Sequence, residues 1–140
     1  MYYHKQYAKA ILVMLGLITV FTILLELAST KQVFWPVYLT IIVIAILFHC
    51  LVIEQTEQKL KWHFGLGFFS KHIDFSEIKS ASIIEIKWFY GLGIRRTKHG
   101  WFYGVSGMQA LKLELRNGQV LLLGTDDGVA LLNMVNSQIV

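Results

Sequence analysis

Arg95, Arg96 and Lys98 stand close together in the stretch GLGIRRTKHGWFYG, Gly91 to Gly104, among glycines and aromatic rings. No Asp or Glu occurs between Ile86 and Leu113, and Lys87 and Lys112 add to the same sign. Cations without nearby acids recognise phosphate and other anions through charge-assisted hydrogen bonds. A turn at Gly91-Leu92-Gly93 would add exposed backbone N–H groups, with Arg95 and Arg96 pairing with phosphate oxygens. Trp101 and Phe102 supply rings of the kind that settle at a lipid–water boundary. Three readings of the stretch follow. It is a solvated hairpin, a surface that meets anionic lipid headgroups through Arg95, Arg96, Lys98, Trp101 and Phe102, or a site for a protein partner or a specific headgroup. The glycine run is neither a dinucleotide fingerprint nor a P-loop, because no helix directly follows it.

Other reactive side chains form no constellation. The serines sit in no nucleophile motif, and the five histidines are scattered. His63 and His72 approach each other if a hairpin joins them, but two histidines alone make a weak metal site. Asp126-Asp127 reads as the start of a helix rather than as an acid/base pair. The single cysteine, Cys50, allows no intrachain disulfide. No enzymatic activity, metal or cofactor is therefore expected. A net charge of +4 is a mild bias and excludes a strongly basic nucleic-acid binder.

What positions the basic stretch is an unevenly apolar chain. Of the 140 residues, 55% are hydrophobic, above the 45–50% or so of soluble domains. The excess lies before Glu54. Ala10–Ala28 carries one charge, Glu26, and Val33–Ile53 carries none; about 20 apolar residues cross a bilayer as a helix. Ser29–Gln32 is a short polar link, so two spans in an antiparallel hairpin are expected, with Pro36 in the first turn of the second. Tyr2, Tyr3 and Tyr7 before the first span, and Trp35 and Tyr38 at the second, read as interfacial anchors. Glu26 is expected at the outer headgroup level. Lys5 and Lys9 precede the hairpin, Lys59, Lys61 and Lys71 follow it, and the link holds only Lys31. The positive-inside rule then places both termini in the cytoplasm. The expected division is a two-helix transmembrane hairpin over 1–55 and a cytoplasmic domain over 56–140.

Beyond the hairpin, periodicity turns to two. Leu60, Trp62, Phe64 and Leu66 alternate with Lys59, Lys61 and His63, which predicts a half-buried strand. Gly65–Gly67 breaks it, and a second strand carries Phe69, Ile73 and Phe75 on one face. A turn at SEIKS precedes a third strand with Ile84, Ile86 and Trp88 opposite Glu85 and Lys87. Trp101–Tyr103 is short strand. Leu111, Leu113 and Leu115 begin a hairpin that closes at Asn117-Gly118, the preferred pair for a two-residue type I′ turn. Thr125 or Asp126 then caps a terminal helix, with Leu131, Leu132, Val135 and Ile139 on one face.

Three motifs carry a resemblance: Ile73–Ile78 as I-x-F-S-E-I, Trp88–Arg95 as W-x-x-G-x-G-I-R, and Gly124–Asp127 as G-T-D-D. With two preceding spans, residues 56–140 resemble small bacterial membrane proteins that carry a pleckstrin-homology-like domain. The resemblance implies an α+β membrane protein: a transmembrane helical hairpin, then a PH-like antiparallel β-roll of two near-orthogonal sheets with a C-terminal capping helix. It does not imply phosphoinositide binding, since the basic phosphate motif of eukaryotic PH domains has no match here. The expected function is a membrane-tethered binding or scaffolding module at the inner leaflet, its basic hairpin facing anionic headgroups, with a protein partner of unknown identity. The alternative is an accessory subunit assembled through its spans, and a homo-oligomer is compatible with either.

Overall fold

A computed structural model describes residues 1–30, 35–87, 93–105 and 107–139. Lys31–Gln32 of the link, Val33, Trp88 and Gly91-Leu92 lie outside the described residues. The first strand, β1 (Tyr3–Tyr7), precedes the helices α1 (Lys9–Ala28) and α2 (Pro36–Phe48), and β2 (Cys50–Gln55) follows them. β1 pairs antiparallel with β2 in one unbroken register, Tyr3 opposite Glu54 through Tyr7 opposite Cys50. The Ala8 N–H extends the ladder by donating to the His49 carbonyl at 2.9 Å. The helical hairpin is therefore an insertion between two neighbouring strands, and both its ends rise from one end of the sheet. At its far end the Tyr38 hydroxyl donates to Glu26 Oε2 at 3.0 Å, tying the last turn of α1 to the first turn of α2.

Two expectations change here. The second apolar run does not continue as helix to Ile53. It stops at Phe48, and Cys50–Ile53 enter β2 with all four residues buried. A short apolar run buried on both faces of a strand cannot be told from helix by periodicity, which is why the run read as one span. α2 is 13 residues long, about 20 Å. α1 has 20 residues, about 30 Å, and is the one helix among the described residues long and apolar enough to cross a membrane. The second change is that Tyr3–Tyr7 forms a strand, with Tyr3 and Tyr7 still exposed.

β3 (Lys59–Phe64) and β4 (Phe69–Asp74) complete a four-stranded antiparallel sheet in the order β1-β2-β3-β4. Phe75–Glu77 makes a single 3₁₀ turn, so the chain bends earlier than SEIKS suggests and Ile78 already belongs to β5 (Ile78–Glu85). The second sheet adds β6 (Gly93–Thr97), β7 (Gly100–Gly104), β8 (Gln109–Leu115) and β9 (Val120–Thr125) in the order β5-β8-β9-β7-β6. It is mixed, not purely antiparallel, because β7 and β9 run parallel. β9 lies between β7 and β8, which run in opposite directions, so it must be parallel to one of them. The β8–β9 hairpin also differs from its expected form. Gly118 has φ +87°, but no residue other than glycine has positive φ among the described residues. Asn117 therefore cannot be in a type I′ turn, which needs φ > 0 at both central positions. Leu115 and Gln119 bond at 2.9 Å around a loop of Arg116, Asn117 and Gly118, the three-residue form with glycine in the left-handed position.

One core lies between the sheets. Leu51, Ile53, Leu60, Trp62 and Phe64 meet Tyr103, Leu111, Leu113 and Leu123, and Leu131 and Val135 of α3 (Gly128–Gln138) close it. The Trp62 and Tyr103 rings meet edge to face at 5.5 Å. α3 begins after Asp127, whose N–H bonds the Thr125 hydroxyl at 3.0 Å; neither Thr125 nor Asp126 is its N-cap. β1 locks to this junction. Gln6, buried, donates from Nε2 to the Gly124 carbonyl at 2.7 Å, His4 Nε2 lies 2.5 Å from Asp126 Oδ1, and the Tyr2 hydroxyl donates to Asp127 Oδ2 at 3.4 Å.

The division drawn between 55 and 56 thus runs between β2 and β3 of one sheet. Fully burying an aliphatic side chain is worth about 1.5–3 kcal/mol, against a total stability of about 5–15 kcal/mol for a domain. β2 alone buries Leu51, Val52 and Ile53. A chain of residues 56–140 should therefore fail to fold, whereas a chain in which a two-residue turn replaces 9–48, joining Ala8 to His49, should fold. Dispersion of the amide spectra checks both. Burial and the Asp127 carboxylate raise the Tyr2 hydroxyl pKa above its ordinary value. The stabilisation linked to that shift is complete below the free tyrosine pKa of about 10 and is lost as pH rises beyond it. Tyr2→Phe should make alkaline unfolding less steep, followed by circular dichroism of the full chain in detergent.

Candidate functional site

The basic stretch becomes the edge hairpin β6–β7. Its turn is held by the Thr97 hydroxyl, which donates to the Gly100 carbonyl at 2.8 Å and accepts the His99 N–H at 3.2 Å. Register pairs Arg95 with Phe102 and Arg96 with Trp101. Successive side chains of a strand point to opposite faces. Arg95 therefore shares a face with Phe102, and Arg96 shares the other with Trp101. The sequence suggested that the two arginines act together on one phosphate; strand alternation gives them opposite faces of β6, at a sheet edge where both still border one groove.

Phe102 does not project as an interfacial ring. It is 1% exposed and packs with Ala110 and Leu122, bordered by Ile84, Ile86 and Val120, on the face of the second sheet turned away from the main core. Two glycines make its slot. A Cβ on Gly104 would come within 2.6 Å of the ring, and one on Gly124 within 3.1 Å. Trp101, on the opposite face, is 47% exposed.

Above Phe102 lies a groove of about 550 Å³. Its floor is Ile84, Ile86, Phe102 and Leu122, and Arg95, Arg96, Lys98, Lys87 and His99 stand around it with one acid, Glu85. Both edges of the sheet, β5 and β6, border this groove, so the sheet curls around it. Arg95, Arg96 and Lys98 are exposed, and none of them is in a salt bridge among the described residues, unlike Lys59, Lys61 and Lys112. Lys112 is committed to Glu114 at 2.7 Å. That contact, with the Ser80 hydroxyl, holds the Glu114 carboxyl below its usual range, and Lys112 adds no free charge to the groove. An apolar floor beside the exposed cations Arg95, Arg96 and Lys98 suits an anion with an apolar portion.

The remaining candidates separate. Register sets His72 opposite Lys61 and His63 opposite Ser70, so the two histidines are not paired across the hairpin. No group of three or more His, Cys, Asp or Glu that could hold a metal occurs among the described residues. Asp126 and Asp127 are engaged by His4 and Tyr2.

Sequence reasoning missed a second feature. A cleft of about 600 Å³ opens between β4 and the β6–β7 hairpin, walled by Trp62, Phe69, Ile94 and Trp101. The β3–β4 turn beside it exposes Leu66 and Phe68. The available signal was the GLGFF run, which leaves large apolar residues in a turn where polar ones are usual. No protein-family model matches this chain, and no curated protein is similar to it.

A Cβ at Gly104 must displace the Phe102 ring, and overpacking of this kind costs about 1–3 kcal/mol. Gly104→Ala should lower the unfolding midpoint accordingly. Arg95→Ala, at an exposed position, should stay within about 0.5 kcal/mol of the parent. Thermal unfolding of the two variants in detergent compares them.

Proposed function

We propose that this chain is a membrane-tethered binding or scaffolding module of the bacterial cytoplasmic membrane, with both termini cytoplasmic and a PH-like β-roll held at the inner leaflet. One observation carries the reading: α1 leaves the end of the first sheet with apolar side chains exposed along its length, Leu17 at 66% and Leu27 at 80%. Surfaces of that kind on a helix of mean hydropathy 2.5 need lipid or protein around them. The insertion of the hairpin between β1 and β2 supports an arrangement in which its two ends lie on the same side and the sheets lie against that side. Two packed sheets closed by a C-terminal helix support the PH-like reading.

In this reading the unpaired Arg95, Arg96 and Lys98 face anionic headgroups. Each basic residue near such a surface contributes about 1 kcal/mol, and the tether keeps the groove at high effective concentration. Open space around Gly16 favours a second reading, in which another helix packs there and the chain is an accessory subunit.

The test uses the full chain in nanodiscs of anionic or zwitterionic lipid. Amide exchange of β6 and β7 should be slower in anionic discs. The difference should vanish in about 1 M salt, where screening acts over about 3 Å, and in the variant with Arg95, Arg96 and Lys98 changed to Ala. Equal exchange in both lipids overturns the headgroup-facing role of the groove.

A further inference from the structure

The β3–β4 turn, Gly65–Phe68, abuts the end of the helical hairpin. Gly65 has φ +51°, and a Cβ there would stand 2.5 Å from the backbone carbonyl oxygens of both Ile46 and Leu47. Only glycine permits so close an approach in that conformation. The turn is thus held against the last turn of α2. Phe69, the first residue of β4, reinforces the contact: its ring stacks on that of Phe48 at 5.7 Å, 19° from parallel. Phe48 also meets Phe64 edge to face at 5.7 Å.

What this arrangement leaves outward is apolar. Leu66 is 70% exposed and Phe68 is 74% exposed. Neither adds to the core that Phe64 and Ile73 build on the same two strands. A turn with no contact duty would be expected to carry polar residues. The cleft behind it contains Trp101, with Lys71 at its border. Lys71 is exposed and sits opposite Trp62 in the register. Large apolar tips flanked by a tryptophan and a cation are the composition that partitions into the headgroup region of a bilayer.

We propose that the β3–β4 turn is a membrane-seating element: Leu66 and Phe68 enter the lipid interface beside the base of α2, and the domain's orientation on the bilayer is set there. The proposal rests on the reading that the α1–α2 hairpin lies in the membrane, and adds a contact that the hairpin alone does not require. The occupant is a lipid bilayer, because the turn cannot be farther from it than the end of α2 against which it is packed. The opposite end of the same sheet supplies the contrast. The β2–β3 turn holds Glu57, exposed, and lies the length of the six-residue β2 away, about 20 Å.

Nitroxide labels test this in the full chain reconstituted into vesicles of mixed zwitterionic and anionic phospholipid. Labels are attached through Leu66→Cys, Phe68→Cys, Leu17→Cys in α1 and Glu57→Cys, each as a single change. Cys50 is buried, and the unsubstituted chain serves as the labelling blank. Accessibility to oxygen and to a water-soluble nickel chelate is then read at each site. The expected result is loss of nickel access at 66 and 68, as at 17, with full access at 57. Nickel access at 66 and 68 equal to that at 57, with 17 shielded, overturns the seating element and leaves the hairpin reading intact. Full nickel access at 17 overturns both. A second pair of variants, Leu66→Glu and Phe68→Glu, keeps the surface position and removes the apolar group. In vesicles, amide exchange across Gly65–Phe69 should become faster than in the parent, and unchanged exchange counts against the proposal.

Discussion

The pairing of β1 with β2 is the constraint on which the rest of the molecule depends. Tyr7 lies opposite Cys50, and the Ala8 N–H meets the His49 carbonyl, so a segment of two helices starts and ends at one point. Hydrogen bonds between neighbouring strands have a fixed spacing of about 4.8 Å. The bases of α1 and α2 must then stand side by side, and the hairpin has no freedom to splay from its root. The same pairing makes β2 an inner strand, flanked by β1 and β3, and so buries Leu51 and Ile53 in the main core.

β1 also joins the two sheets. It is an edge strand of the first sheet, yet its side chains reach the β9–α3 junction, Gln6 to Gly124, His4 to Asp126 and Tyr2 to Asp127. An unpartnered polar group in this position would cost about 1–3 kcal/mol; here Gln6 instead carries a hydrogen bond across the core boundary. The residues that precede the hairpin in sequence and those that precede the last helix are thereby bound together. Any force on the helical hairpin is transmitted to the second sheet through this contact as well as through the shared core.

The second sheet shows how strand alternation spreads one chemical cluster over two faces of an edge strand. Arg95 shares a face with Phe102 and Arg96 shares one with Trp101, while both still border the groove. Gly104 and Gly124 let the Phe102 ring lie against the sheet, so a residue whose type suggests an exposed anchor becomes the floor of a groove. Exposed apolar groups are found instead on the β3–β4 turn, which no charge pattern marks. The open side of the two packed sheets lies between β4 and the β6–β7 hairpin, while α3 packs near β5 and β8 and leaves that side uncovered.

Several elements were legible from the sequence because they depend on local periodicity. Alternation marked β3 and β8, the Asn117-Gly118 turn implied the return strand β9, helical spacing of Leu131 and Val135 marked α3, and a long apolar run marked α1. Composition alone established the mild positive charge, the acid-free stretch around Arg95 and the absence of a disulfide. Contacts distant along the chain decided the rest. Cys50–Ile53 is as apolar as the helix before it, and only pairing with β1 and β3 makes it a strand. Tyr3–Tyr7 carries too few apolar residues to read as a strand until β2 stands beside it. Asn117-Gly118 specifies a turn, but the register of β8 against β9 selects its three-residue form. Side-chain chemistry and short-range spacing are properties of the sequence by itself. Which face a residue occupies, and which cations remain unpaired, depend on partners that only the folded chain brings together.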